Sequence, residues 1–127
     1  MNTILVVDDE PQIRRALSLN LGARAYEVLE AKTGQAAVAV VRSQRPDVVL
    51  LDLGLPDIDG LEVLQSIRPW SHAKVIVLTV RDDERSKTEA FAAGADDYIT
   101  KPFDMAELAD RIAAVLRRKT EPSSDPP

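Results

Sequence analysis

At four separated places an apolar run ends on a residue able to do chemistry: Ile4-Leu5-Val6-Val7 leads into Asp8 and Asp9, Val48-Val49-Leu50-Leu51 into Asp52, Val75-Ile76-Val77-Leu78 into Thr79, and Tyr98-Ile99-Thr100 into Lys101. Together they offer carboxylates, a hydroxyl and an ammonium. Clustered carboxylates repel one another and resist ionising together unless a cation offsets them. Oxygen donors of this kind suit a hard ion, and Mg2+ accepts a site of one or two carboxylates completed by water and phosphate oxygens. A carboxylate is also a nucleophile, able to form an aspartyl phosphate when a metal and an ammonium neutralise the phosphoryl oxygens. Singly, each residue has an ordinary reading: Asp8 and Asp9 as caps of a helix starting near Pro11, Asp52 as a turn residue, Thr79 as a cap, Lys101 as a solvated charge. Capping does not require separate strands to deliver a coherent charge set to one edge, so the joint reading is a site.

For these residues to meet, the apolar runs must lie side by side. Three of them do not alternate, as expected of strands buried on both faces, and Tyr26-Glu27-Val28-Leu29 is a weaker run. Between them lie stretches of helical period: Ile13, Ala16, Leu17, Leu21; Ala37, Val40, Val41; Leu61, Leu64, Ile67; and Leu108, Ile112, Val115, Leu116. With Tyr98-Ile99-Thr100 as the last strand, the alternation gives five βα units. Right-handed crossovers then force a parallel sheet covered by helices on both faces, a doubly wound α/β domain whose ligands bind beyond the carboxyl ends of the strands. Pro11 suits a first helical turn, Gly34 and Gly60 sit at helix entrances, and Gly94 stands where a left-handed cap is wanted. The segment 83–93 is the odd helix, its apolar stripe reduced to Phe91 and alanines.

The 127 residues, 45% hydrophobic and 29% charged, fit one globular domain. No apolar run is long enough for a bilayer or a signal peptide, so the expectation is a cytoplasmic protein without membrane contact. The absence of cysteine removes disulfides, thiolate metal sites and cysteine nucleophiles. Sixteen basic against 21 acidic residues, a formal charge of −5, argue against this domain itself neutralising a nucleic-acid backbone. His72, beside Trp70 and Ser71, is the single histidine and reads as a surface residue, since one histidine without clustered partners makes a poor metal site. Residues 120–127, rich in Pro and Ser, read as a linker or disordered tail, leaving 1–119 as the domain.

The segments "ILVVDDEPQIRRAL", "PDVVLLDLGLPDIDGLEVL", "VIVLTVRDD" and "AGADDYITKPFDMAEL" resemble the receiver domain of bacterial two-component response regulators, over about Thr3 to Arg118. "GADDYITKPF" and the final double arginine are similar to the OmpR/PhoB class of transcription factors, and "LDLGLPDIDG" with "RPWS" resembles its potassium-responsive members. The resemblance implies a flavodoxin-like fold of strand order 2-1-3-4-5, with Asp52 accepting a phosphoryl group from the phosphohistidine of a sensor histidine kinase. It implies that Asp9 and Asp52 bind Mg2+ directly, Asp8 through water and Gly54 by its backbone carbonyl. Thr79 and Lys101 would hold the phosphoryl oxygens, and the Lys101-Pro102 peptide would be cis. Thr79 and Tyr98 would form the switch, passing the event to a face made by the fourth helix, fifth strand and fifth helix. In the class that face forms a twofold dimer, and Lys87 with Glu107, Asp97 with Arg111, Asp96 with Arg118, and Phe91 are the residues available for it. DNA would be reached only through a C-terminal winged-helix domain absent here.

Other functions compete. A stand-alone receiver or phosphorelay intermediate would keep the site without DNA-binding output. A Mg2+-dependent aspartyl-phosphate phosphatase wants a second carboxylate two positions after the nucleophile, where this chain has Gly54. A flavin-binding flavodoxin needs a hydroxyl- and glycine-rich phosphate loop after the first strand, where "DDEPQ" supplies acid. Within the receiver reading, Val80 after Thr79 is expected to narrow access to the site, and the kinase is expected along the first helix near Arg14, Arg15 and Ser18.

Overall fold

The computed structural model describes residues 1–120; the expected tail lies, from residue 121 onward, outside the described residues. Strands and helices alternate as β1 (Thr3–Val7), α1 (Pro11–Ala23), β2 (Glu27–Ala31), α2 (Gly34–Gln44), β3 (Val48–Leu51), α3 (Gly60–Ile67), β4 (Lys74–Thr79), α4 (Glu84–Ala92), β5 (Asp97–Thr100) and α5 (Met105–Thr120). All five strands are parallel, in the order β2-β1-β3-β4-β5.

The non-alternating runs are explained by where the strands sit. Side chains of a strand point alternately to the two faces, and both faces here are covered. On one face Leu5, Val7, Val49, Leu51, Val75 and Val77 pack with Ala37 and Val41 of α2, Val63, Leu64 and Ile67 of α3, and Ala90 of α4. On the other, Ile4, Val6, Val48, Leu50, Ile76 and Leu78 pack with Leu17 and Leu21 of α1 and with Leu108, Ile112, Val115 and Leu116 of α5. β2 lies at the sheet edge with only Ala31 fully buried, which is why its run is the weakest in sequence.

Three helical stripes differ from the sequence expectation. In α3, Val63 joins Leu64 and Ile67 in the core, while Leu61 is only half-buried and lies outside it. Ala16 faces solvent while Ile13, Leu17 and Leu21 carry the inner face of α1. In α4 the buried residue is Ala90; Phe91 is 48% exposed and stands 6.4 Å, centroid to centroid, from the Tyr98 ring. A small residue at the inner position lets α4 lie close on the sheet, which turns the aromatic outward.

Helix starts are fixed by oxygen acceptors for otherwise unpaired amides. Thr33 accepts from Ala36 N–H, while Asp57, from the β3–α3 loop, accepts from Gly34 and Gln35 N–H at 2.7 and 2.9 Å. Asp59 caps α3 and Asp83 caps α4. Gly60 is needed for closeness: a Cβ there would lie 2.3 Å from the Asp52 carbonyl oxygen and 2.7 Å from Leu53 Cα. Gly94 closes the α4–β5 turn at φ 109°, in the left-handed region that disfavours other residues.

Candidate functional site

The sheet's own hydrogen bonds run one residue past the strands and so place the acidic set. Asp8 N–H donates to Ala31 O, Asp52 N–H to Val7 O, and Lys101 N–H to Thr79 O, at 3.1, 3.0 and 2.7 Å. With Val7 in register with Leu51, and Thr79 with Thr100, the residues that follow emerge together at the carboxyl edge.

Asp8, Asp52 and Thr79 are buried, with 2%, 7% and 1% of their surface exposed, whereas Asp9 is open to solvent. One carboxylate oxygen from each of Asp8, Asp9 and Asp52 lies within 4.8 Å of the others. Lys101, whose side chain is 7% exposed, places Nζ 2.6 Å from Asp8 Oδ2 and 3.1 Å from Asp52 Oδ2, with Glu10 Oε1 at 3.9 Å. The remaining oxygens are held by backbone: Asp8 Oδ1 accepts from Glu10 N–H at 2.9 Å and Asp52 Oδ1 from Gly54 N–H at 3.2 Å. Burial pulls the Lys101 pKa down, but the Asp8 hydrogen bond and the Asp52 charge more than offset it, so the ammonium's pKa stands above its ordinary value. Lysine therefore remains a cation at neutral pH and offsets much of the carboxylate charge.

Asp8, Asp9, Asp52, Thr79 and Lys101 thus share one edge, as the sequence requires. Gly54 sits at the exposed rim, tied to Asp52 by its amide. The Lys101-Pro102 peptide is cis. Carboxylate oxygens clustered this closely, with no nitrogen or sulfur donor among them, suit a hard oxygen-seeking cation. Val80 is 69% exposed beside the site.

Tyr98 is half-buried, its hydroxyl donating to the Arg81 carbonyl at 2.7 Å beneath the β4–α4 turn. Thr79 Oγ1 accepts from Arg81 N–H at 3.4 Å. The two switch residues of the sequence reading therefore meet at Arg81, which sequence reasoning did not single out. Its guanidinium contacts Asp59 Oδ2 at 2.8 Å and Leu53 O at 3.4 Å. Nothing in the local spacing joins Arg81 to Asp59; only the crossing of two loops does.

The charges expected on the α4–β5–α5 face have partners inside the chain. Arg111 holds both oxygens of Asp97 at 2.8 Å and Glu107 at 3.3 Å, and Lys87 lies 3.8 Å from Glu84. Asp96 accepts from Val75 N–H at 2.8 Å and faces Arg68 and Lys74 at 3.5 and 3.9 Å, so its carboxylate anchors the start of β4. Arg118 and Phe91 are exposed.

The family model described as the response regulator receiver domain matches residues 4–113. The transcriptional regulatory protein KdpE of Mycobacterium tuberculosis (strain H37Rv) is 52% identical over 120 residues, 94% of this chain and 53% of the relative. The KDP operon transcriptional regulatory protein KdpE of Escherichia coli K12 is 42% identical over 127 residues, 100% of this chain and 56% of the relative. The BeF3-activated N-terminal receiver domain of Klebsiella pneumoniae RstA superposes with a TM-score of 0.87 at 31% identity, covering 91% of this chain and 99% of that domain. This chain spans about half the length of the curated relatives it matches. No helix among the described residues is long and apolar enough to cross a membrane. From the order of the strands, the charge set at their carboxyl edge and the match over residues 4–113, the chain belongs to the response regulator receiver domain family and is a signalling domain of the KdpE-like kind.

Proposed function

We propose that Asp52 accepts a phosphoryl group from the phosphohistidine of a sensor histidine kinase and that the modified domain controls transcription as a cytoplasmic regulator. The observation that carries this reading is the ammonium of Lys101 reaching both Asp52 and Asp8, beside the exposed carboxylate of Asp9. In the transfer, an Asp52 carboxylate oxygen bonds to phosphorus as the phosphorus–nitrogen bond to histidine breaks, and the imidazole leaves with the electron pair and takes up a proton. Asp9 and Asp52 would hold Mg2+ directly, Asp8 through water, with the Gly54 carbonyl completing the protein's share. Mg2+ bound there supplies positive charge against the carboxylates and the phosphoryl oxygens. Lys101 and Thr79 bind the phosphoryl oxygens from the side of β4 and β5.

Phosphorylation adds about −1.5 to −2 charges. The Thr79 hydroxyl turns to the new oxygens, and Tyr98, whose hydroxyl rests on the same turn, passes the movement to the α4–β5–α5 face. There a homodimer forms by exchanging in-chain pairs of Lys87, Asp97, Glu107 and Arg111 for pairs across the twofold, with Phe91, Asp96 and Arg118 at the same face. The relatives named as transcriptional regulators are about twice as long as this chain, which supports DNA contact through a further winged-helix domain.

The test is intact-protein mass spectrometry after incubation with Mg2+ and a phosphorylated histidine kinase, with Asp52→Asn in parallel. The wild type gains one phosphoryl group that requires Mg2+, and the variant gains none. Equal labelling of both proteins refutes Asp52 as acceptor.

A further inference from the structure

Arg81 stands at a crossing that the phosphoacceptor reading leaves unused. Its guanidinium bridges from the β4–α4 turn to the Asp59 carboxylate at the start of α3, and also approaches Leu53 O, the carbonyl one residue beyond Asp52. Both side chains of the pair are partly open, 38% and 40% exposed, so the pairing is of the weak, exchangeable kind. The Asp59 hydrogen bond raises the arginine's pKa most, against some desolvation, and the Asp52 charge acts on it in the same direction. The arginine is therefore a permanent cation at the rim of the acidic site, held by a carboxylate that is not part of that site.

Resting on the phosphoacceptor reading, we infer that Arg81 partitions between two anions: Asp59 when Asp52 is unmodified, and the phosphoryl group when Asp52 carries one. A phosphoryl group brings up to twice the charge of a carboxylate and strong acceptor oxygens that match a guanidinium fork. Lys101 already serves Asp8 and Asp52, and Arg14 is held by the Asp8 carbonyl and Glu30, whereas Arg81 approaches the backbone next to Asp52 and is a further cation beside the new charge. Parking on Asp59 has its own effect: it keeps a second cation away from the carboxylates that a metal ion must enter. The exchange also reaches the switch by covalent geometry, because the same residue's carbonyl holds the Tyr98 hydroxyl and its amide faces Thr79 Oγ1. Asp59 thus competes with the phosphoryl group for Arg81.

Competition gives the two partners of one ion pair opposite effects, which a structural brace cannot do. Beryllofluoride, which takes the tetrahedral shape of a phosphoryl group once a carboxylate oxygen binds its beryllium, is titrated at fixed Mg2+ into wild type, Asp59→Asn and Arg81→Gln, and affinity is read by calorimetry. Asparagine keeps the α3 cap while removing the charge; circular-dichroism melts verify that each variant is folded. Asp59→Asn frees the guanidinium and binds about two- to fivefold tighter, whereas Arg81→Gln binds about two- to fivefold weaker, the range an exposed ion pair supports. Shifts of both variants in one direction, or none in either, overturn the partition while leaving the phosphoacceptor reading intact. A wild type that binds no beryllofluoride overturns that reading and the partition with it.

Discussion

Replacing Lys101 by methionine keeps most of the side-chain volume and removes the one charge that reconciles Asp8 with Asp52. The ammonium lies 2.6 and 3.1 Å from the two carboxylates, whose side chains are 3% and 10% exposed, and its own side chain is 7% exposed. Breaking such a buried pair by deleting one partner costs about 3–5 kcal/mol, because the remaining charge is left uncompensated. Asp9 opens the cluster to water on one side, which favours the lower end. Lys101→Met is therefore expected to lose about 3 kcal/mol in EDTA at pH 7, less than the roughly 5–15 kcal/mol typical of whole domains, so the variant still folds. With an m-value of about 2 kcal/mol/M, the urea midpoint falls by about 1.5 M.

The assay is urea unfolding followed by far-ultraviolet circular dichroism, in EDTA and in excess Mg2+. Divalent cation is expected to raise the variant's midpoint more than the wild type's, since it supplies the positive charge the variant lacks. The pH dependence has a definite sign. Lys101 has a folded pKa above its ordinary value, so its contribution is complete below the ordinary lysine pKa of about 10.4 and is lost as pH rises through the folded value. The wild-type advantage should accordingly be the same at pH 7 and pH 9. A variant within about 1 kcal/mol of wild type in EDTA, as for an exposed pair, refutes the view that this ammonium holds the acidic cluster together.

Two further substitutions test how the site is positioned. Gly60→Ala is expected to cost about 2–3 kcal/mol by overpacking, since its Cβ meets the backbone of Asp52 and Leu53 rather than a movable side chain; a thermal melt unchanged from wild type refutes the close approach. Asp57→Asn tests the cap lent to α2. Hydrogen bonds from Gln35 and then Gly34 N–H hold the Asp57 pKa below its ordinary value, so the stabilisation is present above that value and is lost as pH falls through the folded one. The variant should have a lower urea midpoint at pH 7, and the difference should narrow as pH falls below the ordinary aspartate range; a difference that stays constant on acidification refutes a role for the charge.

What the sequence made legible follows from what local pattern can encode. β1, β3 and β4 announce themselves as unbroken apolar runs because both faces are covered, and the residue after each run inherits its position from the ladder. Hence Asp8, Asp52, Thr79 and Lys101 could be brought together on paper. Facing direction in a thin helix was less readable: α4 offers alanines at several positions, and only packing decides that Ala90 goes inward and Phe91 outward. Contacts between loops were not readable at all. Asp57 capping α2 from 22 or 23 residues away, Arg81 reaching Asp59, and Lys101 lying nearer to Asp8 than to Asp52 depend on where loops cross above the sheet. Asp96 was legible as a charge but not as an anchor, because its partner is the amide of Val75 on the neighbouring strand.

The division between ladder and loop contacts also bears on how such a domain can switch without unfolding. Asp8, Asp52 and Lys101 are pinned through backbone bonds continuous with the strands, and the groups behind them are fully buried. Displacing these would disturb both core layers. The contacts at the rim and on the face beyond it are of another kind: Arg81 with Asp59 ties two loops, and Lys87 with Glu84 and Arg111 with Glu107 lie within α4 and within α5, all of them partly or largely exposed ion pairs. Each costs about 1 kcal/mol or less to exchange. A newly introduced double charge at Asp52 is therefore large compared with the pairs at the rim and small compared with the sheet that holds it. On the phosphoacceptor reading, this hierarchy keeps the five strands as a fixed platform while the β4–α4 turn, Tyr98 and the face beyond it repartition their hydrogen bonds and charges.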